Sequence, residues 1–168
     1  MADKEYNPSK AKWPINRNEF ALLGEIAFHI AFMEYHLHQV IWHLLKVTPE
    51  HGLAITGPMQ LNQKLDLLMA LIKQMPEKDA LLTEAAQMMD KARPERNRKL
   101  HAFWAWQGPR NNNRIAIILS SNRRKFRSEP ITHTDIRNAR NLVFVASSLL
   151  NTWLKNNNLL GTMRVPFE

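Results

Sequence analysis

The chain has no cysteine among its 168 residues. That excludes a disulfide framework, a thiolate metal site and any mechanism with a cysteine nucleophile, and it leaves a reducing compartment as a permitted setting. Glycine is scarce, at 5 residues, and none of these builds a Gly-rich phosphate loop or a G-x-S-x-G elbow. H-E-x-x-H is missing too. These absences remove the common nucleotide-hydrolase, esterase and zinc-protease readings. The longest apolar runs, residues 115–119 and 142–145, fall far short of the roughly 20 residues of a membrane span. Residues 1–18 carry charges where a signal peptide needs an apolar core. A soluble, cytoplasmic protein with no membrane partner is expected. The length fits one domain with its own core, expected over 18–157, with an arm at 1–17 and a tail at 158–168.

What the chain has in excess is positive charge, and that excess is local. Net charge is +8. Residues 1–90 hold 8 Lys/Arg against 11 Asp/Glu, residues 91–140 hold 13 against 3, and residues 141–168 hold 2 against 1. A block of net +10 therefore sits in one third of the sequence. Such a block is either a solvated face or a surface for a phosphate-rich partner, because clustered Lys/Arg attract polyanions and release counterions on binding.

Helical periodicity dominates, so the expected fold class is all-α. Leu23, Ile30, Leu37 and Leu44 recur every seven residues, with Ile26, Met33 and Val40 beside them, which predicts one helix over 18–46. Thr48, Pro49, His51 and Gly52 read as stop signals. Gly57-Pro58 opens a second helical stretch to about Met75, along Leu61, Leu65, Leu68 and Ile72. Pro76 starts a third, running toward Trp104, and Pro94 inside it predicts a kink or a fresh helix start. Segments 114–119 and 124–127 read as a short basic hairpin or extended arm before the last helix. Thr134 is the expected cap of that last helix, over 135–156, with Ile136, Leu142, Val145, Leu149 and Trp153 as its apolar residues.

Several side chains stand out as chemically odd. Glu34 lies on the apolar stripe of the first helix, where a carboxylate is costly unless a cation satisfies it. Its tip either reaches water at the helix flank or meets a basic residue from another helix, with Arg96 and Lys64 as candidates. His29, His36 and His43 share one stripe but span about 21 Å of helix, too far for one ion, and no Glu-x-x-His exists for a carboxylate-bridged metal pair. No metal and no cofactor are expected; the histidine stripe is expected to border a packing or subunit surface. What remains is the basic block with His101 inside it. Arg96 is a fixed cation, Asn97 an orienting amide and His101 a group that exchanges protons near neutral pH. That set suits metal-free cleavage of an RNA phosphodiester. The 2′-hydroxyl must lose a proton, the leaving 5′-oxygen must gain one, and the phosphoryl oxygens need a cation. Five residues at about 100° each put Arg96 and His101 roughly 140° apart around an ideal helix, so a second copy related by a twofold axis is expected to complete the cleft.

The segment Glu95-Arg96-Asn97-Arg98-Lys99-Leu100-His101-Ala102-Phe103-Trp104 resembles the Arg-Asn-x-x-x-His signature of the HEPN superfamily. Around it stand a long first helix carrying Glu34, a Lys-Leu-x-x-Leu element at Lys64, Leu65 and Leu68, and Trp104 shortly after the histidine. The resemblance implies an up-and-down bundle of four to five helices, dimeric, and in many members a metal-independent endoribonuclease of toxin-antitoxin, phage-defence or RNA-processing systems. It implies Arg96 and His101 as the catalytic pair, Asn97 as the polar residue beside the arginine and Glu34 as an orienting acid. Lys64 and Trp104 would support the site. Arg93, Arg98, Lys99, Arg110, Arg114, Arg123, Arg124 and Lys125 would bind RNA. Ala102 departs from the family, where glycine often follows the histidine. A non-catalytic module that binds nucleic acid or nucleotide, and an assembly domain in which Glu34, Lys64 and Arg96 form a buried polar network, are the alternative readings of the same residues.

Overall fold

The computed structural model describes residues 14–77, 79–100, 103–106, 114–119 and 126–160. The chain is predominantly helical, with α1 at Arg17–Leu45, α2 at Pro49–Thr56, α3 at Leu61–Gln74, α4 at Ala80–Leu100 and α5 at His133–Asn156. Between α4 and α5 lies a three-stranded antiparallel sheet, β1 at Phe103–Trp106, β2 at Arg114–Leu119 and β3 at Phe126–Pro130, with β2 in the middle. None of the described helices is long and apolar enough to cross a membrane.

α1 starts where Asn16 and Glu19 satisfy each other's backbone amides. The Glu19 N–H donates to Asn16 Oδ1 at 3.0 Å and the Asn16 N–H to Glu19 Oε2 at 2.9 Å. It ends at Lys46, whose left-handed backbone (φ 56°) closes the last turn. The heptad positions Ile26, Ile30, Met33, Leu37 and Val40 are buried. Thr48 and Pro49, expected to stop the chain, instead start α2: the Thr48 hydroxyl caps it and Pro49 takes the first helical position, where a missing N–H costs nothing. α2 runs back along α1. Its Gly52 lies against the Trp42 ring, and Thr56 bonds His38, one turn before Trp42.

α5 lies parallel to α1, since Glu25 meets Arg140, His29 meets Ser147 and His43 meets Trp153. α4 opposes them, because Asp79 at its start accepts a bond from Trp153 near the end of α5. The short link between α3 and α4 makes those two antiparallel. α1, α3 and α5 therefore point one way and α4 the other; the backward course of α2 is what sets α3 parallel to α1.

Five further expectations change. The third helix begins at Ala80, where Asp79 Oδ1 accepts from the Leu82 amide at 2.9 Å, not at Pro76. Pro94 lies inside a continuous α4 and starts no new helix; Met89 and Ala92 before it are buried in the core, so tertiary packing outweighs the local cost of about 3 kcal/mol. α5 is capped by Thr132 with Asp135, not by Thr134. Its buried face is Ile136, Ala139, Val143, Ala146, Leu150 and Trp153, while Val145 is exposed; two alanines set that stripe. The basic hairpin forms as β2 and β3, but it also takes in β1, whose Trp104 pairs with Ala116. Phe103-Trp104-Ala105-Trp106 is rich in residues that favour a pleated surface, and it forms a strand where the helical pattern was expected to run on toward Trp104.

Gly52 gives a direct test of the α1–α2 contact. An added Cβ would enter the indole of Trp42, so Gly52→Ala should lower stability by about 1–3 kcal/mol, as overpacking does, measured by urea unfolding.

Candidate functional site

The signature residues Arg96, Asn97, Arg98 and Lys99 occupy the last turns of α4. They were expected just after a break at Pro94; with no break, they end the helix. His101 follows Leu100 in sequence and lies outside the described residues, as do Arg110, Arg123, Arg124 and Lys125. Arg114 opens β2 and Trp104 lies within β1. Because α4 runs against α5 from the Asp79–Trp153 bond, its last turn comes level with the start of α5. The basic block thus covers the end of α4, the three strands and the first turns of α5. Arg93 is already engaged by two carboxylates, Asp90 at 2.8 Å and Asp66 at 3.5 Å.

Glu34 finds its cation in Lys64, not Arg96. Lys64 Nζ donates to Glu34 Oε1 at 2.8 Å across α1 and α3, with the lysine side chain 4% and the glutamate 37% exposed. Both expected environments are thereby combined: one oxygen holds the buried lysine while the carboxylate keeps contact with water. One turn on, His38 Nδ1 stands 2.6 Å from Thr56 Oγ1. That hydroxyl accepts from Trp42 Nε1 at 2.9 Å and donates to the Gly52 carbonyl at 2.9 Å. Its single proton is committed, so the ring proton resides on His38 Nδ1 and the lone pair on Nε2. Burial first, then the Lys64 ammonium, push the His38 pKa below its ordinary value, and Glu34 opposes them. No local pattern announces this network, since His38, Gly52 and Thr56 meet only through the reversal of α2.

The histidine stripe faces α5. His29 Nδ1 lies 3.4 Å from Ser147 Oγ and its ring stands edge-on to Phe144; His43 meets Trp153 edge-on. His36 between them is buried, both ring nitrogens lack a partner, and Phe32 and Tyr35 stand edge-on to it. Burial lowers its pKa to about 4. Among the described residues no group of three or more His, Asp or Glu is placed to hold a metal ion.

A third polar cluster lies at the end of the bundle where α4 finishes. Glu19, fully buried, has Oε1 3.5 Å from His133 Nδ1. Arg137 Nη2 is 3.0 Å from His133 Nε2. The Asn16-x-x-Glu19 spacing marks a helix cap in the sequence, but nothing local reveals that its carboxylate is buried against the first turn of α5.

No protein-family model, no curated protein and no solved structure matches this chain.

Two measurements test these histidines. His36 takes up its proton in the unfolded chain near pH 6.5 but in the folded one only near 4, so stability should fall as pH drops through that window, by about 2–3 kcal/mol. His36→Leu should flatten the slope of urea midpoint against pH between 7 and 4.5. Lys64→Met removes a repelling charge and frees Glu34, so the His38 imidazole should titrate at higher pH than in the wild type, followed by NMR.

Proposed function

We propose that this chain is a HEPN-type, metal-independent endoribonuclease that cleaves RNA to 2′,3′-cyclic phosphate and 5′-hydroxyl ends. The observation that carries the reading is the coincidence of the Arg96-Asn97-x-x-x-His101 signature with the net +10 block of the sequence, whose described part spans the end of α4, the strands and the start of α5. The predominantly helical fold is compatible with it. In this reading Arg96 clamps the phosphate, Asn97 orients its neighbours and His101 moves protons, while Arg98, Lys99 and Arg114 contact the RNA backbone. A homodimer brings two signatures to a shared cleft. The protein acts in the cytoplasm as a toxin or phage-defence component, restrained by an antitoxin or another regulatory protein.

Glu34 takes a different role from the orienting acid that the resemblance implies. Its bond to Lys64 joins α1 to α3, and α4 comes level with that part of α1 near Met89, Ala92 and Arg93, which line one apolar cleft with Ile30 and Met33. Arg96 is a turn further along. Glu34 and Lys64 therefore brace the two helices against which α4, the carrier of the signature, is packed.

Ala102, in place of the glycine common after the histidine, favours a second reading in which the same surface holds RNA without turnover. The two are separated by one experiment. Wild-type protein with a panel of single-stranded RNAs in EDTA should yield cyclic-phosphate ends, and His101→Ala should abolish them with the helical circular dichroism intact. Cleavage by that variant at the wild-type rate removes His101 from the mechanism. Salt-sensitive binding, weakened by Arg96→Ala and without product at any protein concentration, establishes the binding module instead.

A further inference from the structure

α1 is apolar on more sides than the bundle covers. Its inner face is buried against α3, α4 and α5. α2 covers the last turns of its outer face, at His38 and Trp42. Among the described residues, nothing covers that outer face from Phe20 to Tyr35. Phe20, Phe28 and Tyr35 are 53%, 65% and 44% exposed, and Gly24, Ala27 and Ala31 between them are exposed as well. A Cβ added at Gly24 would meet nothing within 4 Å. The face also carries no Lys, Arg, Asp or Glu. After Arg17, the charged residues of α1 are Glu19, Glu25 and Glu34, and each is turned aside to a partner in its own chain: His133, Arg140 and Lys64. A helix that is apolar all round is ordinarily buried all round.

The order of residues along this face identifies its cover. Gly24, Ala27, Phe28, Ala31, Phe32 and Tyr35 follow one another at steps of 3, 1, 3, 1 and 3, a spacing that reads the same in both directions. Reversal exchanges size at every position: Gly24 falls opposite Tyr35, Ala27 opposite Phe32 and Phe28 opposite Ala31. Two copies laid antiparallel, with a twofold axis between His29 and Ile30, therefore set each large ring against a small residue, as close packing across an isologous contact requires. A parallel pair would set ring against ring. The rings are already positioned, since Phe28 and Phe32 stack at 6.3 Å and His36 stands edge-on to Phe32 and Tyr35 at 4.1 and 5.1 Å. His36 is itself 6% exposed with both ring nitrogens unpartnered, a buried polar group that its own chain leaves unmet at the edge of this face. Charge agrees with self-pairing. Copies of a chain of net +8 repel each other, and an uncharged face brings no like charges into contact. At their exposures Phe20, Phe28 and Tyr35 alone leave about 300 Å² in water. With Phe32 and the small residues the face comes to about 500 Å² per copy, and a specific pair needs about 1,000 Å² in total.

We propose that the outer face of α1 between Gly24 and Tyr35 is the contact through which two copies of this chain form an antiparallel, twofold pair. The inference stands apart from the ribonuclease reading given above. Because α2 occupies the continuation of the face, the two α1 helices cross at an angle, as helices packed ridge into groove do at about 50°. Gly24, Ala27 and Ala31 let the two backbones approach at the crossing. Each α1 then starts about 19 Å from the axis, on opposite sides, and the α4 ends level with those starts lie about 30 Å or more apart. A cleft shared between two signatures is therefore a different contact, and a chain that makes both assembles beyond a dimer.

The test is sedimentation equilibrium of the full chain over a range of concentrations, comparing wild type, Ala31→Arg and, beyond the far end of α5, Leu160→Arg. The wild type should associate. Ala31→Arg should sediment at half the wild-type mass with its helical circular dichroism intact, and Leu160→Arg, which also alters an exposed apolar residue, should keep the wild-type mass. The chain has no cysteine, so single cysteines joined by a short bis-maleimide report the direction of pairing. In Ala31→Cys the two thiols lie about 5 Å apart along the helices and should crosslink; in Ala21→Cys they lie about 25 Å apart and should not. A wild type that stays monomeric at every concentration overturns the inference and gives the face to another protein. A mass that Ala31→Arg leaves unchanged overturns it as well. Crosslinking of Ala21→Cys as readily as Ala31→Cys means a parallel pair, and that too overturns it. None of these readouts uses RNA, so a protein that cuts none loses the ribonuclease reading and keeps this one.

Discussion

The apolar seam of α1 is the constraint on which the other elements depend. Twenty-nine residues make a rod of about 43 Å, and α2, α3, α4 and α5 all lie against it. Ile26, Ile30, Met33, Leu37 and Val40 bury one face, at about 1.5–3 kcal/mol for each large side chain removed from water. A single long helix cannot bury that face alone, so each later element is placed by where it covers it. α5 lies alongside in the same direction, α3 covers the middle, and the carboxylates along the seam meet partners from the elements that cover it. Glu34 with Lys64, Glu25 with Arg140 and Glu19 with Asn16 and His133 are carboxylate cases. His36, with no partner, stays neutral instead.

The parallel setting of α1 and α5 decides which ends of the helices meet. With α4 running against both, its C-terminal turns arrive where α1 and α5 begin. A signature that occupies α4's last turns is thereby carried to the same end as two capped helix starts. That convergence is a matter of helix direction, and a reversal of α3 and α4 would have sent the signature to the end marked by Trp153.

Much of this was legible in the sequence, for reasons specific to each segment. The seven-residue spacing of Leu23, Ile30, Leu37 and Leu44 marked α1 within one residue at each end, because periodicity over eight turns leaves no rival. Lys64 as a partner for Glu34 was one of two options that charge alone allowed. Other features were hidden. Thr48-Pro49 serves equally to end one helix and to begin the next, so the sequence there reads as stop signals and does not announce α2. Phe103 to Trp106 is a short apolar run without a period of its own, and only its pairing with β2 makes it a strand. The stripe of α5 differs from the expected one because Ala139 and Ala146 carry little hydrophobic signal yet are buried. His38, His133 and Glu19 drew no attention, since each owes its environment to a residue between 18 and 114 positions away.

The sheet between α4 and α5 has a consequence of its own. Leu100 and Ile131, the points where the chain leaves and rejoins the helices, come level at one end of the bundle. The ends of the segment that carries the three strands are therefore close, so the loop-closure cost of changing its length is small. Such a segment is free to diverge as a unit: strands can be lengthened, loops recharged or the whole insert exchanged while the helical frame keeps its register. In a lineage of related chains, that exchange would let one scaffold acquire new recognition without refolding.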